Sequence, residues 1–173
     1  MARKIFKKLK EDINLFDIYQ NTALGAIALH SFVLGYYKVA INKKGQTNFP
    51  PLKQVFFVLP IIYDNKTMTS IKNELYTTLS QNKEFTLGLN DRANKMSSQT
   101  FEALNLAFSK KILELSEDYH IVLGNEFYKD FTIKLKYSNK VISDIQKFSK
   151  RLGGIFAKKD EKTIQMDLNI TFG

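Results

Sequence analysis

Histidine and cysteine, the side chains that most often perform acid–base chemistry or bind transition metals, are scarce in this sequence. There are two histidines, His30 and His120, and no cysteine. His30 lies in an apolar stretch, where a hydrogen-bonded core histidine is a better interpretation than a catalytic base. His120 lies near the tip of a predicted hairpin, where we expect exposure to solvent. Because two distant histidines without a metal-binding spacing do not form a zinc site, the sequence predicts no metal ligands.

Motifs for nucleotide binding and for paired-carboxylate chemistry are missing as well. The sequence contains no GxxxxGK[ST] loop, and the Gly153–Gly154 pair lies inside a predicted helix. Asp17, Asp64 and Asp91 could act together only if the fold brought them close, and nothing in their spacing predicts that. We therefore predict that the chain is not an enzyme, with no catalytic residue and no cofactor. A hydrolase or toxin stays open as an alternative.

The chain is strongly basic, but the cause of that charge is open. Lysine and arginine number 26 against 17 aspartates and glutamates, which gives a formal net charge of +9. Such a surplus favours phosphate backbones, anionic membranes or acidic proteins as partners. Only Arg3, Arg92 and Arg151 are arginines, however, and the sequence is rich in asparagine and isoleucine. A bias toward AT-rich codons would give the same composition without selection for binding.

The length and composition are those of one globular domain. A chain of 173 residues can bury a substantial core, and 44% hydrophobic residues is an ordinary globular content. We divide the chain into a basic N-terminal arm, residues 1–17, and a single globular domain, residues 18–173. The domain is predicted to have a helical half, residues 18–96, and then a helix-hairpin unit with a C-terminal helix, residues 97–173.

One uncharged stretch, residues 18–37, is long enough to span a membrane. It contains Gln20, Asn21 and His30, and polar groups are unfavourable in hydrocarbon. The basic residues at the start of the chain are followed by acidic ones where a signal peptide needs an apolar core. We therefore predict a buried core helix and a protein without membrane contact. The lack of cysteine is typical of a reducing compartment, and we expect a cytoplasmic location.

The first predicted helix begins at the cap residue Asn21 or Thr22 and runs to about Ile41. Its residues are small and apolar nearly all round, which is typical of a helix at the centre of a core. Gly25 and Gly35 each lower helix stability by about 1 kcal/mol relative to alanine. Close packing against another helix is the reason we expect for them.

A loop and several shorter helices complete the predicted helical half. Residues 43–51 form the clearest loop, since they contain a glycine and a pair of prolines. Residues 52–63 are apolar enough to be buried, and Pro60 argues against a central strand. We interpret them as a helix that is kinked or ended at Leu59. Two further elements are predicted: a helix capped by Thr69, and a short helical or irregular segment over residues 87–96.

A helix followed by a hairpin is the most legible pattern of the second half. Ser97 or Ser98 is predicted to cap a helix whose inward residues are Phe101, Leu104, Ala107 and Phe108. In residues 112–124, apolar residues alternate on either side of a polar turn, which is typical of a β-hairpin. The fold class is therefore mainly α with one or more small β-hairpins (α+β), with a winged-helix-like helix-hairpin unit in a single compact domain.

Three predictions cover the rest of the chain. Residues 127–137 alternate less cleanly and are consistent with a strand. Ser143 is predicted to cap a helix that runs to about Lys158. Residues 163–172 alternate between apolar and polar side chains, which favours a C-terminal strand.

The predicted helix-hairpin unit is a poor candidate for reading DNA. In a winged helix, the helix before the hairpin enters the major groove. Glu102 would then point at phosphates, and the hairpin tip would bring Glu117 and Asp118 there as well. Because like charges repel, a winged helix used for protein contacts is the better interpretation.

The predicted C-terminal helix has one basic flank. Lys147, Arg151 and Lys158 fall within about 40° of one another at 100° per residue, and Lys150 lies on the same helix. One interpretation is a solvated face whose lysine stems cover the core. The other is a contact with a DNA backbone or an acidic partner.

One pattern extends over several short segments of the chain. The segments are Asn21-Thr22-Ala23-Leu24-Gly25, Phe32, Gly35-Tyr36, Pro51-Leu52, Phe57-Val58-Leu59-Pro60, Ile112-Leu113-Glu114-Leu115 and Ser149-Lys150-Arg151-Leu152-Gly153. Each segment is hydrophobic and unspecific alone, but in their order and spacing they resemble a known family, the middle components of bacterial three-component ABC systems. Thr22 is a departure, since the family often has proline after the asparagine.

The resemblance implies a non-catalytic adaptor that docks on a recombination-repair-type ABC ATPase and links it to an effector in defence against phage or mobile DNA. It implies an ATPase subunit and an effector as partners in an oligomer, with nucleic acid contacted through the complex. It also implies core or docking roles for Asn21, Gly25, Phe32, Gly35, Tyr36, Pro51, Leu59 and Pro60. The alternative is a nucleic-acid-binding module that uses the basic arm and the basic helix flank.

Overall fold

The computed structural model describes residues 21–45, 47–81, 85–128 and 140–172. The predicted basic arm and most of the predicted strand at 127–137 lie outside these residues. The elements are α1 Thr22–Ala40, α2 Leu52–Val55, α3 Val58–Ile62, α4 Asn65–Ser70, α5 Leu75–Gln81, α6 Leu89–Lys95, α7 Ser97–Ser109, β1 Leu113–Leu115, β2 Ile121–Leu123, α8 Lys140–Ala157 and α9 Glu161–Leu168. The fold is mainly helical with a small antiparallel hairpin in a single compact domain, as predicted.

The helix α1 lies at the centre of the core. It begins where predicted, because the Asn21 side chain accepts a hydrogen bond from the backbone N–H of Leu24 at 3.0 Å. It contacts α8, α7, α3 and β2, so its apolar residues are buried on nearly all sides. By length and composition α1 could cross a membrane, but 72% of its apolar window is buried within the fold. The helix is therefore buried in the core, as predicted.

The helices α1 and α8 cross with their backbones in direct contact. A Cβ atom added to Gly35 of α1 would overlap with the carbonyl group of Lys150 in α8. A Cβ added to Gly153 of α8 would overlap in turn with the carbonyl oxygen of Phe32 in α1. The two backbones therefore touch through reciprocal glycines. We call this contact the glycine crossing, and it supplies the reason expected for Gly35.

The helix predicted over residues 52–63 is two short helices, and the predicted break at Leu59 is wrong. The break comes earlier, at Phe56 and Phe57, between α2 and α3. Pro60 is the third residue of α3, where the missing N–H costs nothing because first-turn N–H groups have no partner within the helix. Leu59 and Pro60 are both buried.

The role predicted for Thr69 is also wrong. The next helix, α4, is capped by Asp64, whose carboxylate accepts from the backbone N–H groups of Lys66 and Thr67 at 2.9 and 3.3 Å. Thr69 lies inside α4 and its hydroxyl donates to the Asn65 carbonyl at 2.7 Å. Serine and threonine often make such local bonds within helices, so a threonine alone does not locate a cap. The helical segment predicted over residues 87–96 is confirmed as α6.

The helix α7 is confirmed, although neither predicted serine caps it. Ser97 is its first residue, and the Ser97 hydroxyl donates to the Asn94 carbonyl at 2.9 Å instead. Leu104 and Ala107 are buried as predicted, but Phe101 is 53% exposed and packs on Phe56 at a centroid distance of 4.8 Å. The prediction that Phe101 points inward is wrong.

The predicted hairpin is confirmed. The strands β1 and β2 pair with Leu113 opposite Leu123 and Leu115 opposite Ile121. The N–H of Ser116 donates to the His120 carbonyl at 2.9 Å and closes the turn. Whether helix and hairpin form a winged helix stays a prediction.

The C-terminal elements differ from the prediction in two ways. Ser143 lies inside α8 rather than at its cap. The predicted strand over residues 163–172 is wrong, since its first half belongs to helix α9. The carboxylate of Asp160 accepts from the Thr163 N–H at 2.9 Å and starts α9, which buries Ile164 and Leu168 one turn apart.

Candidate functional site

The residues that carry the family resemblance lie mainly on or beside α1. Phe32 is fully buried and packs edge-on against Phe156 at 5.4 Å. A Cβ on Gly25 would lie 2.9 Å from the Cβ of Ala103, so α1 also approaches α7 closely. These positions form core contacts, which is one of the two roles that the resemblance implies for them.

Two clefts open at opposite ends of α1. The first has a volume of about 120 Å³ at the N-terminal end of the helix and brings together Asn21, Gly25 and Leu59. Tyr63, Gln99 and Glu102 complete its wall with Thr22. Three of the residues predicted as docking or structural positions therefore share one small cleft.

The second cleft is larger and lies near the C-terminal end of α1. Its volume is about 370 Å³, within the range of small-molecule and side-chain binding sites. We call it the polar cleft. Four parts of the chain meet there: α1 with its following loop, α2, the hairpin turn, and the α8–α9 connection. Its lining residues are Tyr36, Thr47, Pro51, Lys53, Gln54, His120, Lys159, Asp160 and Glu161.

A buried carboxamide lies at the wall of the polar cleft. Gln54 is only 3% exposed, and its side-chain oxygen, Oε1, has no hydrogen-bond partner among the described residues. Tyr36 is 6% exposed. Burial raises the pKa of the Tyr36 phenol, while a side-chain hydrogen bond with Thr47 has the smaller, opposite effect. The Tyr36 hydroxyl therefore stays protonated near neutral pH and can donate a hydrogen bond.

The charged residues of the polar cleft are matched in sign. Lys53 and Glu161 form an ion pair at 2.5 Å. The carboxylate of Asp160 accepts from both the backbone N–H and the hydroxyl of Thr163, and these two bonds hold its pKa below the usual value. Lys159 is the fourth charge. With two cations and two anions, the lining has no net charge.

The hairpin is held against the polar cleft by main-chain bonds. Pro51 and His120 form an isolated antiparallel bridge. The N–H of Leu52 donates to the Tyr119 carbonyl at 2.8 Å, and the N–H of Ile121 donates to the Pro50 carbonyl at 2.9 Å. His120 is consequently partly buried, so the exposure predicted for it is wrong.

His30 is a core histidine, as predicted. It is 1% exposed, and its Nε2 lies 2.9 Å from the carbonyl oxygen of Phe127. The two histidines are on different elements, α1 and the hairpin. Within residues 21–45, 47–81, 85–128 and 140–172, no three histidine, aspartate or glutamate side chains form a group that could hold a metal ion.

The basic flank of α8 is largely engaged within the fold. One Nη of Arg151 donates to the Ile71 carbonyl at 3.0 Å, and its guanidinium lies 5.6 Å from the Phe148 ring centre. Lys158 pairs with Glu74 at 2.5 Å, and its hydrogen bond and charge lower the pKa of that carboxyl. The Nζ of Lys147 lies 5.5 Å from the ring centre of Phe148. Lys150 is partly buried and contributes its backbone carbonyl to the glycine crossing.

Asp64 and Asp91, two of the three aspartates that could act together only if the fold brought them close, lie at different helices. Asp64 caps α4 and also pairs with Arg92 at 2.7 Å. The other Arg92 Nη donates to the Phe85 carbonyl at 3.2 Å, so this arginine joins three segments. Asp91 is exposed on α6, and Asp17 lies outside the described residues.

The sequence prediction missed the polar cleft. Gln54 was the available signal, because it is a lone amide in the apolar run LKQVFFVLPIIY. A polar residue within a run that must be buried requires a hydrogen-bond partner. The other residues that line the cleft come from three segments that are distant in the sequence. No local sequence pattern predicts that these segments come together.

The sequence of the chain matches the ABC-three component system Middle Component 3 over residues 9–172. No curated protein matches it. No solved structure matches it either. Since the match covers nearly the whole sequence, the chain belongs to the Middle Component 3 family of ABC-three component systems.

Proposed function

We propose that this chain is a cytoplasmic, non-catalytic adaptor that docks on the ABC ATPase of its system and links it to an effector. The observation that carries the proposal is the family match over residues 9–172, which makes the chain one component of a multi-protein system. The role in defence against phage or mobile DNA is part of the same proposal.

The hairpin supplies the contact surface that we propose for the ATPase. Tyr119 is 69% exposed and Leu115 is 46% exposed, beside the exposed acidic residues Glu114, Glu117 and Asp118. Aromatic residues surrounded by polar ones are typical of the centre of protein interfaces. The acidic rim would favour a basic surface on the ATPase and disfavour DNA. This agrees with a helix-hairpin unit used for protein contacts.

Co-purification with the ATPase tests this function. The ABC ATPase of the same system, co-expressed with a tagged chain, should be retained on the affinity resin. Tyr119→Asn should weaken the association by about tenfold, because an exposed aromatic anchor is lost. Asparagine is chosen because Tyr119 has a φ of 58°, and asparagine tolerates this left-handed conformation.

Tyr76→Asn is the matched control, because it makes the same chemical change at another exposed tyrosine. Tyr76 lies on α5 and is 81% exposed. The variant should leave the association unchanged. If the wild-type chain is not retained with its ATPase, the adaptor function is wrong. If Tyr119→Asn and Tyr76→Asn behave alike, the hairpin is not the contact surface.

Direct nucleic-acid binding is the second candidate function, and the basic composition favours it. A phosphate would have to replace the contacts of Arg151 with Ile71 and of Lys158 with Glu74. Binding of the purified chain to duplex DNA, measured over a salt series, should be weak and nonspecific if the adaptor function is right. Micromolar affinity with a steep salt dependence, abolished by charge reversal at Lys147 and Arg151, would favour this second function instead.

A further inference from the structure

We propose that two copies of this chain associate about a two-fold axis through a groove lined by aromatic side chains, with Phe101 of each copy entering the groove of the other. None of the described residues that line this groove belongs to the hairpin. The pairing of two copies therefore uses a different surface from the proposed ATPase contact, and it does not depend on the adaptor function.

A third cleft of the molecule supplies the groove. It lies between α2, the corner of α6 and α7, and the residues after α9, and its volume is about 330 Å³, enough for an aromatic side chain. We call it the aromatic groove. The rings of Phe57 and Phe172 meet there at a centroid distance of 5.4 Å. Its apolar wall is formed by Leu52, Phe56, Phe57, Ala93 and Phe172, which favours a large apolar side chain as the occupant.

Phe101 is the protruding side chain beside the aromatic groove. It is 53% exposed, and its ring packs on Phe56, a residue of the groove wall, at a centroid distance of 4.8 Å. Ser97 also lines the groove and lies one turn before Phe101 on the same face of α7. One face of the chain thus carries, side by side, an exposed aromatic ring and a cleft large enough for such a ring.

The charges on the two sides of this face have opposite signs. Among the described residues that line the aromatic groove only Lys53 is charged, and Lys53 also lines the polar cleft near the C-terminal end of α1. Its side chain pairs with Glu161 but remains 39% exposed, so the ammonium can contact a second carboxylate. Glu102, the neighbour of Phe101, is exposed and lines the cleft at the N-terminal end of α1. The face therefore has a cation at one side and an anion at the other.

This arrangement fits a second copy of the same chain. A two-fold interface brings the same patch of both copies together in opposite directions, so each feature must find its complement within the patch. Here Phe101 finds the aromatic groove and Glu102 finds Lys53, and both contacts occur twice. A different partner would require only one half of each pair, and the chain carries both halves.

The experiment is sedimentation equilibrium of the full-length chain. The salt concentration is about 0.15 M, because the net charge of +9 makes the copies repel one another more strongly at lower ionic strength. We expect a reversible equilibrium between monomer and dimer with a dissociation constant of about 10 μM. A chain that sediments as a monomer up to about 100 μM would overturn the proposal.

Phe101→Ala tests the aromatic contact. We expect the variant to raise the dissociation constant of the dimer by about tenfold or more, because the ring that enters the partner copy is lost. Its urea midpoint should change little, since about half of the Phe101 side chain is already exposed. Tyr76→Ala is the matched control, because it truncates an exposed aromatic residue on another helix, and it should leave the dissociation constant unchanged. If the two variants dimerise equally well, the contact lies elsewhere and the proposal is wrong.

An exchange of charges tests the two-fold orientation. Glu102→Lys and Lys53→Glu should each weaken their own dimer by about tenfold, because each places like charges opposite one another twice. Mixed in equal amounts, the two variants should form a heterodimer, since both of its pairs then join opposite charges. A mixture that associates no better than the separate variants would contradict this orientation.

Retention on the ATPase distinguishes a second copy from another partner. If the wild-type chain is monomeric and Phe101→Ala, but not Tyr76→Ala, is lost from the ATPase, the aromatic groove binds a different subunit and the pairing of two copies is wrong. A wild-type chain that dimerises as expected but is not retained with its ATPase would support the pairing and overturn the adaptor function alone.

Discussion

Gly35 and Tyr36 are neighbours in α1, but they belong to two very different regions. Gly35 lies in the glycine crossing, where two helix backbones touch and even a methyl group would overlap with Lys150. Tyr36 lines the polar cleft, where a 370 Å³ space remains and the Gln54 oxygen has no partner among the described residues. Adjacent residues of one helix thus belong to a closed part of the core and to an open cleft.

The difference between the two regions indicates which residues stabilise the fold and which do not. In the glycine crossing, small residues and fully buried aromatics such as Phe32 and Phe156 maximise contact. In the polar cleft, a buried acceptor without a partner lowers stability. Proteins tolerate such local losses mainly where function requires them. The comparison therefore directs functional experiments to the polar cleft and stability experiments to the glycine crossing.

The largest effect is expected at the glycine crossing. Gly153→Ala should lower the free energy of unfolding by about 3 kcal/mol, because the new methyl group would overlap with the Phe32 carbonyl oxygen and the helices must move apart. Gly154→Ala is the control one residue away. Its nearest contact would be a methyl group of Val39 at 3.4 Å, so the higher helix propensity of alanine should stabilise by about 1 kcal/mol.

Urea unfolding of both variants measures these two changes of opposite sign. Adding Gly35→Ala to Gly153→Ala should cost less than the sum of the single changes, since both act on one helix separation. Equal stabilities for Gly153→Ala and Gly154→Ala would show that the crossing is looser than the structure indicates, and the contrast with the cleft would disappear.

Sequence patterns predicted the long elements well and the short ones poorly. For α1, the cap residue, the apolar character and the glycines all pointed to one answer. For residues 163–172, alternation favoured a strand, yet Ile164 and Leu168 also have helical spacing. The hydrogen bonds that the Asp160 carboxylate accepts at the start of α9 favour the helix. In a sequence, such a cap residue can be recognised only when the first residue of the helix is already known. Serine and threonine misled for the same reason at Thr69 and Ser143.

An intermediate effect is expected on the basic flank of α8, close to the glycine crossing. Arg151→Met should lower the free energy of unfolding by about 1 kcal/mol, because its hydrogen bond to the Ile71 carbonyl is lost. Lys147→Met removes the same charge from an exposed position and should change stability by less than about 0.5 kcal/mol. Urea unfolding at two salt concentrations measures both.

That pair of variants separates two roles of the flank. A larger loss for Arg151→Met shows a residue that joins α8 to the rest of the fold. Equal and negligible losses would mean that the flank is a free cationic surface, which would strengthen the nucleic-acid alternative.

The candidate site was less predictable than the fold. The sequence singled out Tyr36 and Pro51 through the resemblance, and both line the polar cleft. It did not indicate that Gln54, His120 and Lys159 would join them. Their positions depend on how the hairpin and the α8–α9 connection pack against α2. Such long-range contacts produce no periodic pattern in the sequence.

The smallest effect is a dependence on pH that should affect the cleft and spare the crossing. Asp160 lines the cleft, and bonds from the Thr163 backbone and hydroxyl lower its pKa below the usual 3.8. A depressed carboxyl pKa contributes stability above the unfolded value, and that contribution is lost as the pH falls through the folded pKa. As the pH falls below 3.8 and through the lowered pKa of Asp160, we therefore expect the start of α9 to lose its cap.

The amide-proton shift of Thr163 and the shifts of the cleft residues, followed by NMR from neutral pH to about pH 2, measure this loss. The amides of Gly35 and Gly153 should not change with them, because neither glycine packs against an ionisable side-chain group at the crossing. Asp160→Asn is the control, since asparagine is an equally good cap without a charge and should remove the transition. A common acid transition of Thr163, Gly35 and Gly153 in wild type would mean that the two regions unfold together. The cleft would then be no more independent of the core than the crossing itself.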